Sequence, residues 1–289
     1  MIDFRMKTFL TVCECMNFTQ VLNLTQPAVS QHIRYLEEQY DTPLFIREKK
    51  KLYLTDAGQI LKDSLETLRS DDHRMKIRMQ QSMAGKKGLT FGVTMTIGEY
   101  AVIPSLARFL KAHPQLEIHI CYGNTQTLLS RLREGTLDFA IVEGYFREDL
   151  YTTRILQKEP FIGVASSKHI FQKPVSCLRD LTGERLLLRE HGSGTRAILT
   201  KILALNNLSA EDFSHIIEIE NIHAIVSLLR EDCGISFLYQ SAVQKELEDK
   251  TLMEIPLSDF KIAHDFSFIW NKDSIFSAQY EAIFQELQK

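Results

Sequence analysis

Three features of the sequence predict a helical head with a β-hairpin wing, a long connecting helix and a following α/β domain. The run Leu24–Glu37 carries apolar residues at helical spacing. The run Leu44–Gly58 reads as a basic hairpin. From Leu89 onward, short apolar strands alternate with helical faces. The first two features together have the form of a winged helix-turn-helix, so the head is expected to bind DNA.

The helix rests on Val29, Ile33 and Leu36, which recur at i, i+4 and i+7 and so share one face. Thr25 is the candidate N-cap, and Pro27 falls in the first turn, where a missing N–H does little harm. The opposite face carries Gln26, Pro27, Ser30, Gln31 and Arg34. A glutamine amide offers a donor beside an acceptor, which suits adenine, and a guanidinium suits guanine or phosphate. Taken alone, this is also the pattern of an ordinary amphipathic surface helix. The hairpin tips the balance. Extended stretches at Leu44-Phe45 and Leu52–Leu54 flank Arg47, Lys49, Lys50 and Lys51, a basic wing suited to phosphates or the minor groove.

Gln26-Pro-Ala-Val-Ser, Leu36-Glu-Glu and Leu44-Phe-x-Arg47-x-x-Lys50-x-Leu52-x-Leu54-Thr55-x-Ala57-Gly58 together resemble the LysR-type transcriptional regulators. Phe9, Val12 and Met16 give a first-helix stripe, and Asn17-Phe18-Thr19 is similar to the family's turn into its second helix. One departure stands beside these matches. Only Gln20, Val21, Leu22 and Asn23 separate that turn from Leu24, about three residues fewer than the family places there, or about 4.5 Å of helical rise. The helix that braces the recognition helix is therefore expected to be cut to little more than one turn.

After Thr55 the chain reads as one helix to about Met83. Leu61, Leu65, Leu68, Met75 and Met79, with Asp72 as the polar interruption, follow a heptad seam on an otherwise charged helix. Such a seam fits a partner helix, or packing on the chain's own domain. The resemblance implies a homodimer through this helix, often assembled further into tetramers, with RNA polymerase as a further candidate partner. Gly85-Lys-Lys-Gly88 ends the helix. The expected divisions are 1–58 for the head, 59–87 for the linker and 88–289 for the second domain.

In that domain, Leu89–Val93, Leu116–Tyr122, Asp138–Glu143, Phe161–Ala165, Arg185–Arg189 and Ile216–Glu220 read as strands of a mainly parallel sheet. Helical faces come from Val102, Ile103, Leu106, Phe109 and Leu110, from Leu128, Leu129 and Leu132, from Ile198, Ile202 and Leu205, and from Ile222, Ile225, Leu228 and Leu229. Ligands of such sheets bind beyond the C-terminal strand ends, against helix N-termini. The candidates there are Thr94, Thr96, Asn124, Thr125, Ser193, Thr195, Arg196 and Asn221. Thr96 and Glu99 have capping-box spacing, and the Gly-Ser-Gly-Thr loop is a candidate anion nest with Arg196 beside it. Each polar residue has a simpler reading as a helix cap; four such termini in one domain favour a shared cleft.

The resemblance implies a periplasmic-binding-protein-like effector domain of two α/β lobes with a cleft between them. Thr94-x-Thr96, Gly123-Asn-Thr125, Val142-Glu-Gly144, Arg189-Glu-x-Gly-Ser-Gly-Thr-Arg196 and Gly234-Ile235 look like family landmarks. Lobe I is expected at 89–160 plus 266–289 and lobe II at 161–265. The Ser193–Arg196 loop recurs in members that sense small anionic metabolites, which implies an anionic effector. Arg230-Glu-Asp-Cys-Gly departs from the usual small, glycine-rich turn.

Bulk properties set bounds. Residues 1–88 hold 14 Lys and Arg against 11 Asp and Glu, whereas residues 89–289 hold 20 against 26, so the head is the basic part of a chain of net charge −3. No apolar run approaches the ~18 residues of a membrane helix and no signal-peptide core is read at the N-terminus, so the cytoplasm is the default expectation. The five cysteines form no C-x-x-C pair and the histidines have no ligand spacing, so neither a metal nor a cofactor is expected. Ser193 between glycines suggests a hydrolase elbow, but the G-x-S-x-G spacing is absent, and an enzyme is not expected. The sequence thus points to an effector-controlled DNA-binding regulator. The alternative is a solute-binding module whose head is impaired by the shortened helix.

Overall fold

The computed structural model describes residues 2–19, 24–49, 51–171 and 173–288. The shortened stretch Gln20–Asn23 and Lys50 lie outside them. The head opens with α1 (Phe4–Cys15), capped by Asp3, whose carboxylate accepts the Arg5 N–H at 2.7 Å. Phe9, Leu10, Val12 and Cys13 are buried, but Met16 is not part of this stripe. It is the left-handed residue that ends the helix (φ 48°), which turns its side chain outward.

α2 (Gln26–Tyr40) buries Val29, Ile33 and Leu36, as their spacing predicts. Thr25 occupies the N-cap position, but its hydroxyl makes no capping bond. β1 (Phe45–Glu48) and β2 (Lys51–Leu54) pair antiparallel, Phe45 opposite Leu54. The Glu37 carboxylate on α2 accepts the Leu44 N–H at 2.8 Å and holds the wing to the recognition helix. α3 (Asp56–Met83) starts at Thr55, whose hydroxyl accepts the Gly58 N–H at 2.9 Å. A Cβ at Gly58 would sit 2.2 Å from the Leu44 carbonyl oxygen, so only glycine lets α3 approach the wing this closely.

α3 corrects the seam reading. Leu65 is buried in the head core beside Phe9, Leu36 and Leu44, and Leu61 packs against that core. Leu65 is closed to a partner, and Leu61 is half-buried already. Leu68, Met75 and Met79 stay exposed, Met79 by 61%. A different face of α3 docks on the second domain, and it is polar. Ser70 donates to the Leu132 carbonyl at 3.1 Å, and Ser274 donates to Asp71 at 2.7 Å. Arg74 Nε reaches Asp138 at 3.1 Å and Arg78 Nη2 reaches it at 2.9 Å. Ser70, Asp71, Arg74 and Asp138 are all buried.

The second domain follows as β3 (Lys87–Val93), α4 (Ile103–Ala112), β4 (Leu116–Tyr122), α5 (Thr125–Arg133), β5 (Phe139–Val142) and the 16-residue β6 (Tyr151–Ser166). Then come β7 (Arg185–Arg189), α6 (Gly194–Leu205), β8 (His215–Ile219), α7 (Ile222–Arg230), β9 (Ser236–Tyr239) and α8 (Gln244–Glu248). β10 (Leu252–Glu254), β11 (Ile262–Asn271) and α9 (Ser277–Gln288) complete it. β4, β3 and β5 are parallel neighbours, and β7 runs parallel to β8.

The expected mainly parallel sheet is nevertheless a mixed one. β11 lies antiparallel to both β5 and β6, while β9 and β10 lie antiparallel to β6. The first half of β6, β9, β10 and β11 were not among the expected strands. β6 and β11, the two longest strands, pair along ten residues of β11, and their register shifts between Phe266 and Ser267. Three residues expected on buried helix faces are exposed: Ile103, Leu110 and Leu205. On α6 the core is filled by Ile198, Leu199, Ile202 and Leu203 instead.

Candidate functional site

The head presents Gln26, Pro27, Gln31 and Arg34 on the exposed face of α2, with Ser30 half-buried at its edge. The face is open because the buried stripe opposite fixes how the helix is rotated. Gln26 Nε2 donates to Ser30 Oγ at 2.9 Å, so these two side chains form one polar unit. On the wing, Arg47, Lys49 and Lys51 are exposed. The Arg47 guanidinium lies 5.2 Å from the Phe18 ring centroid, which joins the wing to the turn after α1.

The second site lies where the two lobes meet, at the C-terminal ends of β3, β5 and β7. Its centre is Glu143, directly after β5, with 2% of its surface exposed. Thr94 and Thr195 donate their hydroxyls to its carboxyl group, the latter at 3.4 Å, and Thr125 donates to its backbone carbonyl at 2.9 Å. Gly194 is pressed against this carbonyl, where a Cβ would come within 2.2 Å. The Gln126 N–H also bonds the Gly192 carbonyl at 3.3 Å. The segments after β4 and β5 are therefore in direct contact with the loop that opens α6. A cavity of about 540 Å³ opens beside them, lined by Met95, Asn124, Arg189, His191 and Asn221 among others.

Several buried polar atoms here have no partner: Thr96 Oγ1, Ser193 Oγ, Tyr239 OH and Arg189 Nη1. A buried polar group without a partner costs about 1–3 kcal/mol, so each of these atoms would gain from a ligand that bonds it. Burial pushes the Glu143 carboxyl above its ordinary range, against the lowering effects of Thr94, Arg189 and Thr195. Burial, with Glu143 and Glu159 nearby, pushes the Tyr239 hydroxyl up as well.

The expected residues divide accordingly. Thr94, Thr125 and Thr195 converge on Glu143, and Ser193 sits at the N-cap of α6 without capping it. Asn124 and Asn221 are caps, each accepting an N–H of its own helix at 3.0 Å. The Thr96–Glu99 capping box does not form. The chain enters a π-helical turn (Ile97–Ala101) there, and Glu99 instead lies 3.0 Å from His223 Nε2. Arg196 is not a free charge, because its guanidinium bonds the Arg189 carbonyl, Glu218 and His191. Glu143, Arg189 and Tyr239 were not among the candidates. The first two lie in the landmarks around 142–144 and 189–196, and Tyr239 ends a strand that was not expected.

The five cysteines are unpaired, and burial pushes the Cys13 thiol up to about 12, so it stays protonated at neutral pH. Among the described residues, no group of three or more His, Cys, Asp or Glu is arranged to hold a metal ion. Nor is any helix there long and apolar enough to cross a membrane.

Residues 5–59 match the family model of the bacterial regulatory helix-turn-helix protein, lysR family, and residues 85–289 match that of the LysR substrate binding domain. The chain belongs to the LysR family of transcriptional regulators. It is similar to the HTH-type transcriptional regulator CysL of Bacillus subtilis, with 28% identity over 269 residues, 91% of this chain and 89% of that protein. A probable RuBisCO transcriptional regulator of Thalassiosira pseudonana is 27% identical over 98% of this chain and 95% of its own length.

Two solved structures share the fold. The CcmR regulatory domain of Synechocystis in complex with 2-PG has a TM-score of 0.62 at 19% identity, covering 70% of this chain and 96% of that one. A full-length OxyR variant from Pseudomonas aeruginosa has a TM-score of 0.58 at 21% identity, covering 100% and 95%. As a LysR-type regulator, the chain binds DNA through its head, binds a small-molecule effector through its second domain and is not an enzyme.

Proposed function

We propose that a small anion held between the lobes sets how this regulator binds its promoter. Lobe I comprises 89–160 with 266–289, lobe II comprises 161–265, and the ligand lies against Thr94, Thr96, Thr125, Ser193 and Thr195. The observation that carries this reading is the set of buried, unpartnered polar atoms of Thr96, Ser193, Tyr239 and Arg189 at the lobe junction. The solved complex of the similar CcmR domain with 2-PG supports a small ligand in this fold. Gln26, Ser30, Gln31 and Arg34 read base edges, while Arg47, Lys49, Lys50 and Lys51 meet phosphates. Leu68, Met75 and Met79 are among the exposed apolar positions of α3, and a second copy packs on them.

A gel shift on the DNA upstream of neighbouring genes tests the head. Binding should weaken steeply with salt, and Arg34→Ala should cost about 1–3 kcal/mol at the specific site only. Equal binding to every sequence at low salt would favour an impaired head. Insertion of three residues before Leu24 would then restore specificity.

A further inference from the structure

We infer that the ligand of the lobe cleft binds as an anion together with one proton, with Arg189 offering it a free guanidinium N–H and Glu143 taking up the proton from solvent. This rests on the anion reading above and specifies its chemistry.

Two charged side chains of the loop region could meet an anion, and the geometry separates them. Arg196 already spends Nη1 on Glu218 and the Arg189 carbonyl and Nη2 on His191. Arg189 is 4% exposed, and its Nε and Nη2 are held by Glu190 at 2.8 and 3.1 Å. That leaves Nη1 buried and unpartnered. A guanidinium with one committed edge and an unpartnered Nη1 amino group is suited to oxyanions, because its fork holds its direction.

Glu143 has the opposite imbalance. Among the described residues, no cation bonds its carboxyl group; the donors are the hydroxyls of Thr94 on the β3 side and Thr195 on α6. Arg189 at the end of β7 is near enough to favour the charged form, yet it already carries Glu190. Around Tyr239 at the end of β9 lie Glu159 of β6, Asp265 of β11 and Tyr145 of the loop after β5. On the far side of Arg196 stand His191 and Glu218. Lys201 lies 4.0 Å from the Tyr145 ring centroid and His264 meets that ring at 5.0 Å, but among the described residues neither bonds Glu143, so an ionised Glu143 has no cation bonded to it. An anion entering at Ser193 and Arg189 would place a second negative charge beside it in a water-poor space. Two such charges cannot both persist, and the carboxylate is the one able to take a proton. Burial already moves the carboxyl in that direction.

The test is calorimetric titration of the full-length protein with sulfate between pH 5.5 and 8.5, in buffers of different ionisation enthalpy. Sulfate keeps its charge over this range, so any pH dependence belongs to the protein. The wild type should lose affinity by up to about tenfold per pH unit on the alkaline side and take up about one proton on binding. Glu143→Gln, which keeps the shape and leaves one threonine donating to the amide oxygen while the other turns to accept from the amide NH2, should bind with a flat pH profile and without that uptake. Arg189→Met should lose at least about tenfold in affinity while its thermal unfolding shows a folded protein. An unchanged slope in Glu143→Gln, or wild-type binding independent of pH, would overturn the proton coupling while leaving the anion site standing. Absence of sulfate and phosphate binding at every pH would defeat the anion reading itself.

Discussion

Asp138 and Glu143 flank the same short strand, β5, and both are 2% exposed. Asp138 is saturated. Arg74 and Arg78 from α3 hold its carboxylate, the Thr90 N–H donates to it at 2.8 Å, and the Tyr280 hydroxyl lies at 3.4 Å. Glu143, at the other end, has threonine donors and, among the described residues, no bonded cation, with unpartnered hydroxyls nearby. A buried charge with every valence met is a joint that fixes α3 on lobe I. A buried carboxyl left short of countercharge can respond to what arrives. β5 thus connects the linker helix to the proposed effector cleft through four residues of fully buried strand.

The largest expected effect breaks the joint. Asp138→Ala leaves Arg74 buried with its charge uncompensated, and breaking such a pair costs about 3–5 kcal/mol. Urea unfolding should show that loss, and proteolysis at Lys86-Lys87 should accelerate as α3 leaves lobe I. A loss below about 1 kcal/mol would mean that Asp138 is no joint, by the range measured for exposed ion pairs.

The same experiment on Glu143 should go the other way. Its native carboxyl sits above the ordinary range, so the folded state holds the proton more tightly than the unfolded chain does. Its contribution to stability is full below the ordinary carboxylate range and is lost as pH rises toward the native value. Ligand-free wild type should therefore become less stable over that window relative to Glu143→Gln, which lacks the titration. Denaturation curves at a series of pH values compare the two. Parallel pH profiles would erase the contrast between the ends of β5.

The sequence shows one end of this contrast better than the other, for physical reasons. Val29, Ile33 and Leu36 on α2 could be read because burial there follows a local period. The threonines and Ser193 could be read because polar residues collect after strands. Ser70, Asp71 and Arg74 look like solvated helix surface, since their partners Leu132, Ser274 and Asp138 lie 62, 203 and 64 residues away. The seam failed at Leu61 and Leu65 for the same reason: apolar spacing shows that a face will be covered, and not whether the head or a second copy covers it. Arg196 looked free because Glu218, 22 residues on, is brought to it only by the β7–β8 pairing. The antiparallel strands were harder still. Polar positions such as Thr153, Arg154 and Lys158 break up any apolar run in the first half of β6, and its pairing with β11 joins residues about a hundred apart in sequence.

The smallest effects separate a cap from a contact within the cleft itself. Asn221 and Ser193 both stand at helix N-caps lining the lobe junction. Asn221 accepts the Ala224 N–H at 3.0 Å, while the Ser193 hydroxyl bonds nothing. Asn221→Ala should therefore cost about 1 kcal/mol of stability through the lost cap. Ser193→Ala removes a buried hydroxyl that is unsatisfied in the free protein, so its stability should change by less than about 0.5 kcal/mol, or rise. With sulfate the order should reverse. Ser193→Ala should weaken binding by about 0.5–1.5 kcal/mol, the net value of one hydrogen bond, and Asn221→Ala should leave it nearly unchanged. Thermal unfolding with and without sulfate reads all four numbers. If Ser193→Ala costs as much stability as Asn221→Ala and leaves sulfate binding intact, the serine is a cap after all, and the cleft loses one of the four groups that mark it as a binding site.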